Sequence, residues 1–251
     1  MKVAVITGVT SGLGLEFLKI IISEHPELDE IWAIARRKDR LKDIEEKYNK
    51  IIPISLDLCD KDSISVFVRK LELEKPDIRV LINNAGFGDI GNFYENDYKK
   101  QMAMIDLNNR ALTAMCTVCS PYMSKGSYII NVASIASFAP TPRMAVYCST
   151  KAYVKSFSQC IRFELKDRGI NVVALCPGPM STEFIDIAGI NSDGSKTFKT
   201  LPYVEPSYAA QKAVKFAKKG RSVCTPRFFY KLYRFIAKIL PHNFVMFFSK
   251  T

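Results

Sequence analysis

The chain has 251 residues, 48% of them hydrophobic, which supplies one sizeable core and falls short of two ordinary domains. Only two histidines, His25 and His242, and seven cysteines without a paired framework argue against a His triad, a multi-His metal site or a disulfide scaffold, so no metal is expected. The apolar run after Met1-Lys2 is too brief for a secretory segment, and no stretch approaches the roughly 20 apolar residues of a membrane span, so the expectation is a cytoplasmic protein with reduced thiols.

Residues 3–6 (Val-Ala-Val-Ile) read as the first strand. It ends in Thr7-Gly8-Val9-Thr10-Ser11-Gly12-Leu13-Gly14 and runs into an apolar helix over residues 15–22. Glycines at 8, 12 and 14 between a first strand and a first helix permit a tight turn whose backbone amides face a pyrophosphate, with Thr10, Ser11 and Leu13 carried along it. Residues 31–35 form the second strand and lead into Arg36-Arg37-Lys38. Where an acidic side chain would accept hydrogen bonds from a ribose hydroxyl, two guanidiniums instead suit a 2′-phosphate through charge-assisted bonds, and the cofactor expected is NADP(H).

Short, mostly apolar runs recur at residues 51–55, 80–83, 128–132, 171–176 and 222–224, with helical stretches between them. Runs apolar on both faces are the pattern of central strands in a parallel sheet covered by helices. The fold class is therefore α/β: a Rossmann-type, doubly wound, seven-stranded parallel sheet in a three-layer α/β/α single domain. Cys116 and Cys119 form a lone CxxC inside the apolar run 111–123, with no second pair or nearby His. They read as packing thiols, with a metal or redox role as the alternative.

Ser134 follows the fifth strand, and Tyr147-Cys148-Ser149-Thr150-Lys151 begins thirteen residues later. Four residues is a little over one helical turn, so the phenol and the ammonium project from one face of a helix and act on one bound molecule.

With the glycine turn, Asn83-Asn84-Ala85-Gly86, Ser134, Tyr147, Lys151 and Pro177-Gly178 in order, the chain resembles the short-chain dehydrogenase/reductase family over residues 1–225. The resemblance implies a nicotinamide cofactor, a tetrad of Asn108, Ser134, Tyr147 and Lys151, and a homodimer or homotetramer. Relatives usually show Gly three residues after the tetrad Asn, where this chain has Ala111, and Asn109 stands beside it. In the implied mechanism Tyr147 gives a proton to a carbonyl oxygen, and Lys151 eases its ionisation and holds the nicotinamide ribose. Ser134 bonds the same oxygen, and Asn108 bends its helix and holds a relay water. Asp57, Leu58, Asn84, Ala85 and Gly86 are implied on the adenosine side. Pro177, Gly178, Met180 and Thr182 are implied around the nicotinamide, while Asn83 is expected to brace the sheet.

Phe87, Phe138, Pro140, Pro142, Met144, Met180, Phe184, Ile185 and Ile187 are implied around the reacting carbonyl. Such a wall favours a hydrophobic ketone or secondary alcohol. Residues 183–202, with Gly189, Asn191, Asp193 and Gly194, read as a mobile substrate lid. The run from Cys176 to Phe184 and the apolar basic ending resemble the branch holding hydroxysteroid dehydrogenases and long-chain 3-oxoacyl reductases. A steroid or bile-acid alcohol is the first expectation and an acyl thioester or a general carbonyl the second. A nucleotide-binding sensor that uses the fold without chemistry is the rival from another class, and such proteins usually lose the Tyr or the Lys.

The net charge of +11 comes from the tail: residues 206–251 hold ten Lys or Arg and no Asp or Glu, whereas residues 1–205 hold 26 basic and 25 acidic side chains. Residues 226–251 read as a basic amphipathic extension, with Thr225 as N-cap, Pro226 at the first helical position and Pro241 at its end. Arg227, Lys231, Arg234 and Lys238 make one basic stripe; Phe228, Phe229, Leu232, Phe235, Ile236 and Ile239 take the other side. That pattern fits a helix at a membrane surface, peripheral contact running through residues 226–248, or a cover for the cleft or a partner subunit. No recognition motif accompanies the charge, so no nucleic acid is expected.

Overall fold

The computed structural model describes residues 1–189 and 200–248. Seven parallel strands, β1 (Lys2–Thr7), β2 (Glu30–Ala35), β3 (Ile51–Ser55), β4 (Asp77–Asn83), β5 (Tyr128–Val132), β6 (Asn171–Leu175) and β7 (Val223–Cys224), lie in the order β3-β2-β1-β4-β5-β6-β7. Each apolar run singled out above is one of them. The main boundary difference is β4, which starts at Asp77 because its amide donates to the Met1 carbonyl at 2.8 Å and Asp77 pairs with Lys2 at the start of β1.

Alternation along each strand splits the core into two layers. Ala4 and Ile6 face α1 (Gly12–Glu24), α2 (Lys38–Lys47) and α8 (Pro206–Lys218); Val3 and Val5 face α3 (Lys61–Glu74), α5 (Leu112–Cys119) and α6 (Ala145–Glu164). Because the chain works outward from β1 to β3 and then restarts at β4 on the other side, the loops leaving β1 and β4 diverge. That reversal opens a crevice at the carboxyl ends of the strands.

Cys116 and Cys119 are buried in the second layer, where burial pushes the Cys116 thiol up to about 12. Asn83 Nδ2 donates to Asn131 Oδ1 at 2.9 Å and to Cys116 Sγ at 3.2 Å, and Asn131 Nδ2 donates to Ser158 Oγ at 3.0 Å. Asn83 thus ties β4 to β5 and α5 within the core. Among the described residues no cluster of three or more His, Cys, Asp or Glu is arranged to hold a metal.

The expected cap at Thr225 is not formed. Its Oγ1 is buried without a hydrogen-bond partner, and the helix α9 (Phe228–Ile239) begins three residues later behind Arg227. Thr225 and Pro226 still belong to the buried path leaving β7, where the Tyr208 hydroxyl donates to the Pro226 carbonyl at 3.3 Å. A final helix, α10 (His242–Phe248), follows Pro241.

Candidate active site

The glycine turn is held open by its neighbours. Gly8 has φ +67°, a left-handed conformation costly for other residues, and a Cβ there would lie 2.9 Å from Ala85 Cα. Thr7 Oγ1 accepts the amides of Asn84 at 3.0 Å and Ala85 at 3.1 Å, and Asn84 Nδ2 donates to the carbonyls of Thr7 and Gly8. These bonds fix the β1 turn against the loop after β4. Gly14 packs on the Gly8 carbonyl so closely that a Cβ would sit 2.0 Å from the oxygen. Gly12 faces Thr182 across the crevice, at 3.1 Å from where its Cβ would lie.

Ser134 extends from the end of β5, while Tyr147 and Lys151 lie on the buried face of α6. The Ser134 side chain hydrogen-bonds the Tyr147 phenol, and its Oγ accepts the Ala136 amide at 3.1 Å. Lys151 Nζ donates to the Val132 carbonyl at 2.8 Å and lies 5.8 Å from the Tyr147 ring centroid. Burial lowers the Lys151 ammonium to about 8 and pushes the Tyr147 phenol well above its ordinary range, the bond from Ser134 acting the other way. Loss of solvation sets the direction for the phenol, while the Lys151 ammonium is turned toward the Val132 carbonyl.

Between α4 (Tyr98–Ile105) and α5 the helix widens to a π turn over Asp106–Ala111, with Asn108 inside it. The Asn108 side chain accepts the Phe87 amide at 3.1 Å and donates to the Phe87 carbonyl at 3.0 Å and to Thr150 Oγ1 at 3.1 Å. It clamps the loop after β4 to α6, next to Lys151. A Cβ at Gly86 would stand 2.8 Å from Asn108 Oδ1 and 3.4 Å from Lys151 Nζ, so a bare backbone here is what lets the two side chains converge.

The crevice continues into a cavity of ≈ 660 Å³. Its wall takes Gly8, Thr10, Ser11, Gly12 and Leu13 from the turn, Arg36 and Arg37 from the end of β2, and Asn84 and Gly86 from the loop after β4. Ser134, Tyr147, Lys151, Pro177, Gly178, Met180 and Thr182 also line it, joined by Met144, Phe184, Ile185 and Ile187.

Several expected members stand elsewhere. Gly14 and Ala85 support the turn from behind without reaching the wall, and Pro140 and Pro142 do not line it. Asp57 turns toward Arg36, at 3.9 Å, and caps the Cys59 amide, while Leu58 is buried with Phe67 in the core. Phe138 is carried past the cavity by the 3-10 turn Ile135–Ser137 and packs 6.2 Å from Tyr233, centroid to centroid. Phe87, held through its backbone by Asn108, packs with Met104, Met144 and Tyr147. Of the expected lid, residues 183–187 form the short helix α7 (Glu183–Ile187); Asn191, Asp193 and Gly194 lie outside the described residues.

The tail supplies a wall that sequence reasoning left open. Phe229, Tyr230, Tyr233, Ile236 and Leu240 from α9 and its end, and Phe244 and Val245 from α10, line the cavity. The Tyr230 hydroxyl donates to the Pro202 carbonyl at 2.7 Å, and its ring lies against Gly178. The available signal was Tyr230, Tyr233, Ala237 and Leu240 at steps of three, four and three, obscured because the surrounding residues are apolar too.

At the other end, Glu183 bridges the cleft. Its carboxylate accepts from Arg37 Nη1 at 2.9 Å and Arg40 Nη1 at 2.6 Å, and also bonds Ser11, which holds it down at about 2. Arg37 Nη2 donates in addition to Thr10 Oγ1 at 3.0 Å and Ser11 Oγ at 2.9 Å.

Residues 2–188 match the family described as "short chain dehydrogenase". An uncharacterized oxidoreductase of Staphylococcus saprophyticus is 33% identical over 191 residues, which is 74% of this chain and 76% of that protein. Probable oxidoreductase EphD of Mycobacterium tuberculosis is 27% identical over 198 residues, 76% of this chain but 33% of that protein. The chain thus spans about a third of the length of the first curated relatives it matches. A short-chain dehydrogenase from Sphingobium yanoikuyae, solved in complex with NADPH, superposes with a TM-score of 0.80 at 23% identity, covering 96% of this chain and 97% of that one. Proteins of the same fold have been solved with NADP, NADH and NAD, so the fold leaves the choice of dinucleotide to individual side chains.

Proposed function

Because the chain belongs to the short-chain dehydrogenase family, we propose that it is an NADP(H)-dependent oxidoreductase interconverting a hydrophobic ketone and its secondary alcohol. The observation that carries this reading is the convergence of Ser134, Tyr147 and Lys151 on one wall of a cavity whose far end holds Arg36 and Arg37. The residues fit a nicotinamide dinucleotide. The turn offers bare backbone where side chains at Gly8 or Gly14 would clash, and Arg36 and Arg37 stand where a ribose phosphate needs cations. Asn84 and Gly86 would flank the adenosine, and Pro177, Gly178, Met180 and Thr182 the nicotinamide.

When bound, the nicotinamide supplies or accepts a hydride. Ser134 Oγ and the Tyr147 hydroxyl, already joined, both face the oxygen of a carbonyl held against them, and Tyr147 gives it a proton. The phenolate left behind is costly in a buried site, and the nearby Lys151 ammonium offsets that cost. Asn108 positions Lys151 by clamping Phe87 to Thr150 in the π turn, and a water held there would return the proton.

Met144, Met180, Phe184, Ile185, Phe229 and Ile236 give the cavity an apolar wall suited to a steroid or bile-acid hydroxyl, with a 3-oxoacyl thioester or a general carbonyl as the second reading. The same helix presents a surface. Tyr230 and Ala237 of α9 are buried, while Phe228, Leu232, Phe235 and Ile239 are exposed beside the stripe of Arg227, Lys231, Arg234 and Lys238. This favours peripheral contact with an anionic lipid surface, from which an apolar substrate reaches the cavity. No helix among the described residues is long and apolar enough to cross a membrane. Exposed Tyr98, Met102 and Ile105 on α4 and Tyr153 on α6 favour a homodimer or homotetramer.

The test is oxidation of NADPH and NADH against a panel of keto-steroids, 3-oxoacyl thioesters and small aldehydes. The expected result is turnover with NADPH on the bulky apolar members. Turnover confined to small polar carbonyls removes the apolar-substrate reading. Dinucleotide binding without turnover on any carbonyl favours a sensor.

A further inference from the structure

At the end of β2 the protein has built an anion site and filled it with its own carboxylate. Two guanidiniums, Arg37 and Arg40, and the Ser11 hydroxyl converge on Glu183, whose partner Arg37 lies 146 residues away in sequence. Arg37 is also oriented by Thr10 and Ser11, so its donors are fixed whether or not Glu183 stays. In folds of this kind the end of the second strand is where the cofactor's adenosine ribose lies, and an arginine there meets a 2′-phosphate.

We propose that Glu183 sets the preference between phosphorylated and unphosphorylated cofactor by competing with the ribose phosphate for Arg37 and Arg40, and is displaced when that phosphate binds. This rests on the NADP(H) reading above. A cofactor without the phosphate brings no anion to replace the carboxylate and leaves the bridge closed. A phosphate carries more charge and more acceptor oxygens than a carboxylate and takes over the guanidiniums. The displacement bears on the substrate side, because Glu183 begins α7 and the next residue, Phe184, packs 5.7 Å from the Tyr147 ring, centroid to centroid. Cofactor phosphate and substrate pocket are thereby joined through one short helix.

The test uses the full chain and two probes that lack nicotinamide, adenosine 2′,5′-bisphosphate and adenosine 5′-monophosphate, with calorimetry for affinity. Glu183→Gln removes the competing charge and keeps the side chain's size. The expected result is bisphosphate binding tighter by about threefold to tenfold in the variant, the scale of two half-exposed ion pairs, with monophosphate binding unchanged. Hydrogen exchange supplies a second readout: bisphosphate accelerates exchange over residues 183–187 in the unmodified protein, and monophosphate does not. Equal tightening for both probes, no tightening, or slowed exchange overturns the competition while leaving the cofactor reading intact. An unmodified protein that binds the bisphosphate no better than the monophosphate overturns the NADP(H) reading itself, and the inference with it.

Discussion

Replacing Lys151 by Met should make the protein more stable and inactive at once. Lys151 is buried, and its ammonium is lowered from 10.5 to about 8 chiefly by loss of solvation. A fall of that size corresponds to about 3 kcal/mol of folding free energy lost to keeping the charge inside. Met fills similar space without charge but leaves the Val132 carbonyl without its donor at 2.8 Å, which costs about 1 kcal/mol. The net expectation near neutral pH is a gain of about 2 kcal/mol, or about 4 to 8 °C in melting temperature for a chain this long. The sign with pH follows from proton counting. Below about 8 the lysine is protonated in both states and the penalty is complete; between about 8 and 10.5 the folded chain has released a proton that the unfolded chain still holds. The unmodified protein therefore gains stability as pH rises through that window, and the advantage of the variant shrinks. Urea unfolding of both proteins at about pH 7 and about pH 9.5, with turnover measured alongside, checks the account. A variant no more stable near neutrality, or one whose advantage is the same at both pH values, refutes the reasoning about burial.

Tyr147→Phe should retain dinucleotide binding and lose nearly all turnover; a variant keeping more than about a tenth of the rate, a barrier change under ~1.4 kcal/mol, takes the proton donor's role away from it. Gly86→Ala places a methyl 2.8 Å from Asn108 Oδ1 and 3.4 Å from Lys151 Nζ. It should cost about 1 to 3 kcal/mol and depress turnover further than that loss explains, as seen by comparing melting curves with rates under folded conditions. Paired Phe228→Ser and Phe235→Ser changes, at side chains 79% and 62% exposed, should weaken cosedimentation with vesicles containing anionic lipid by at least about tenfold. If the unmodified chain stays in the supernatant, the lipid-surface reading of α9 is wrong.

The seven strands could be read from the chain because each is a short run apolar on both faces, a property of neighbouring residues that needs no partner to be seen. The glycine turn and the pairing of Tyr147 with Lys151 were legible for the same reason: helix geometry over four residues and a turn over eight are local matters. What lay beyond local reach depended on which segments the sheet order brings together. Phe138 and Phe87 suit a substrate wall by type, yet a 3-10 turn and the Asn108 clamp carry them off it.

The tail marks the limit of pattern reading. Apolar residues cover most of α9, so periodicity could not say which of them meet the protein; Tyr230 docks on Gly178, Tyr233 on Phe138, and Ala237 and Leu240 on the second core layer. The upward shift of the Tyr147 phenol also came from enclosure, since the solvent removed around it is a property of the packed core and not of its neighbours in the chain. Local periodicity and residue chemistry thus determined the strands, the turn and the shared helix face of Tyr147 and Lys151. Burial and encounters across 146 residues, as between Arg37 and Glu183, arose only when the sheet assembled, since they depend on distances the linear order does not contain.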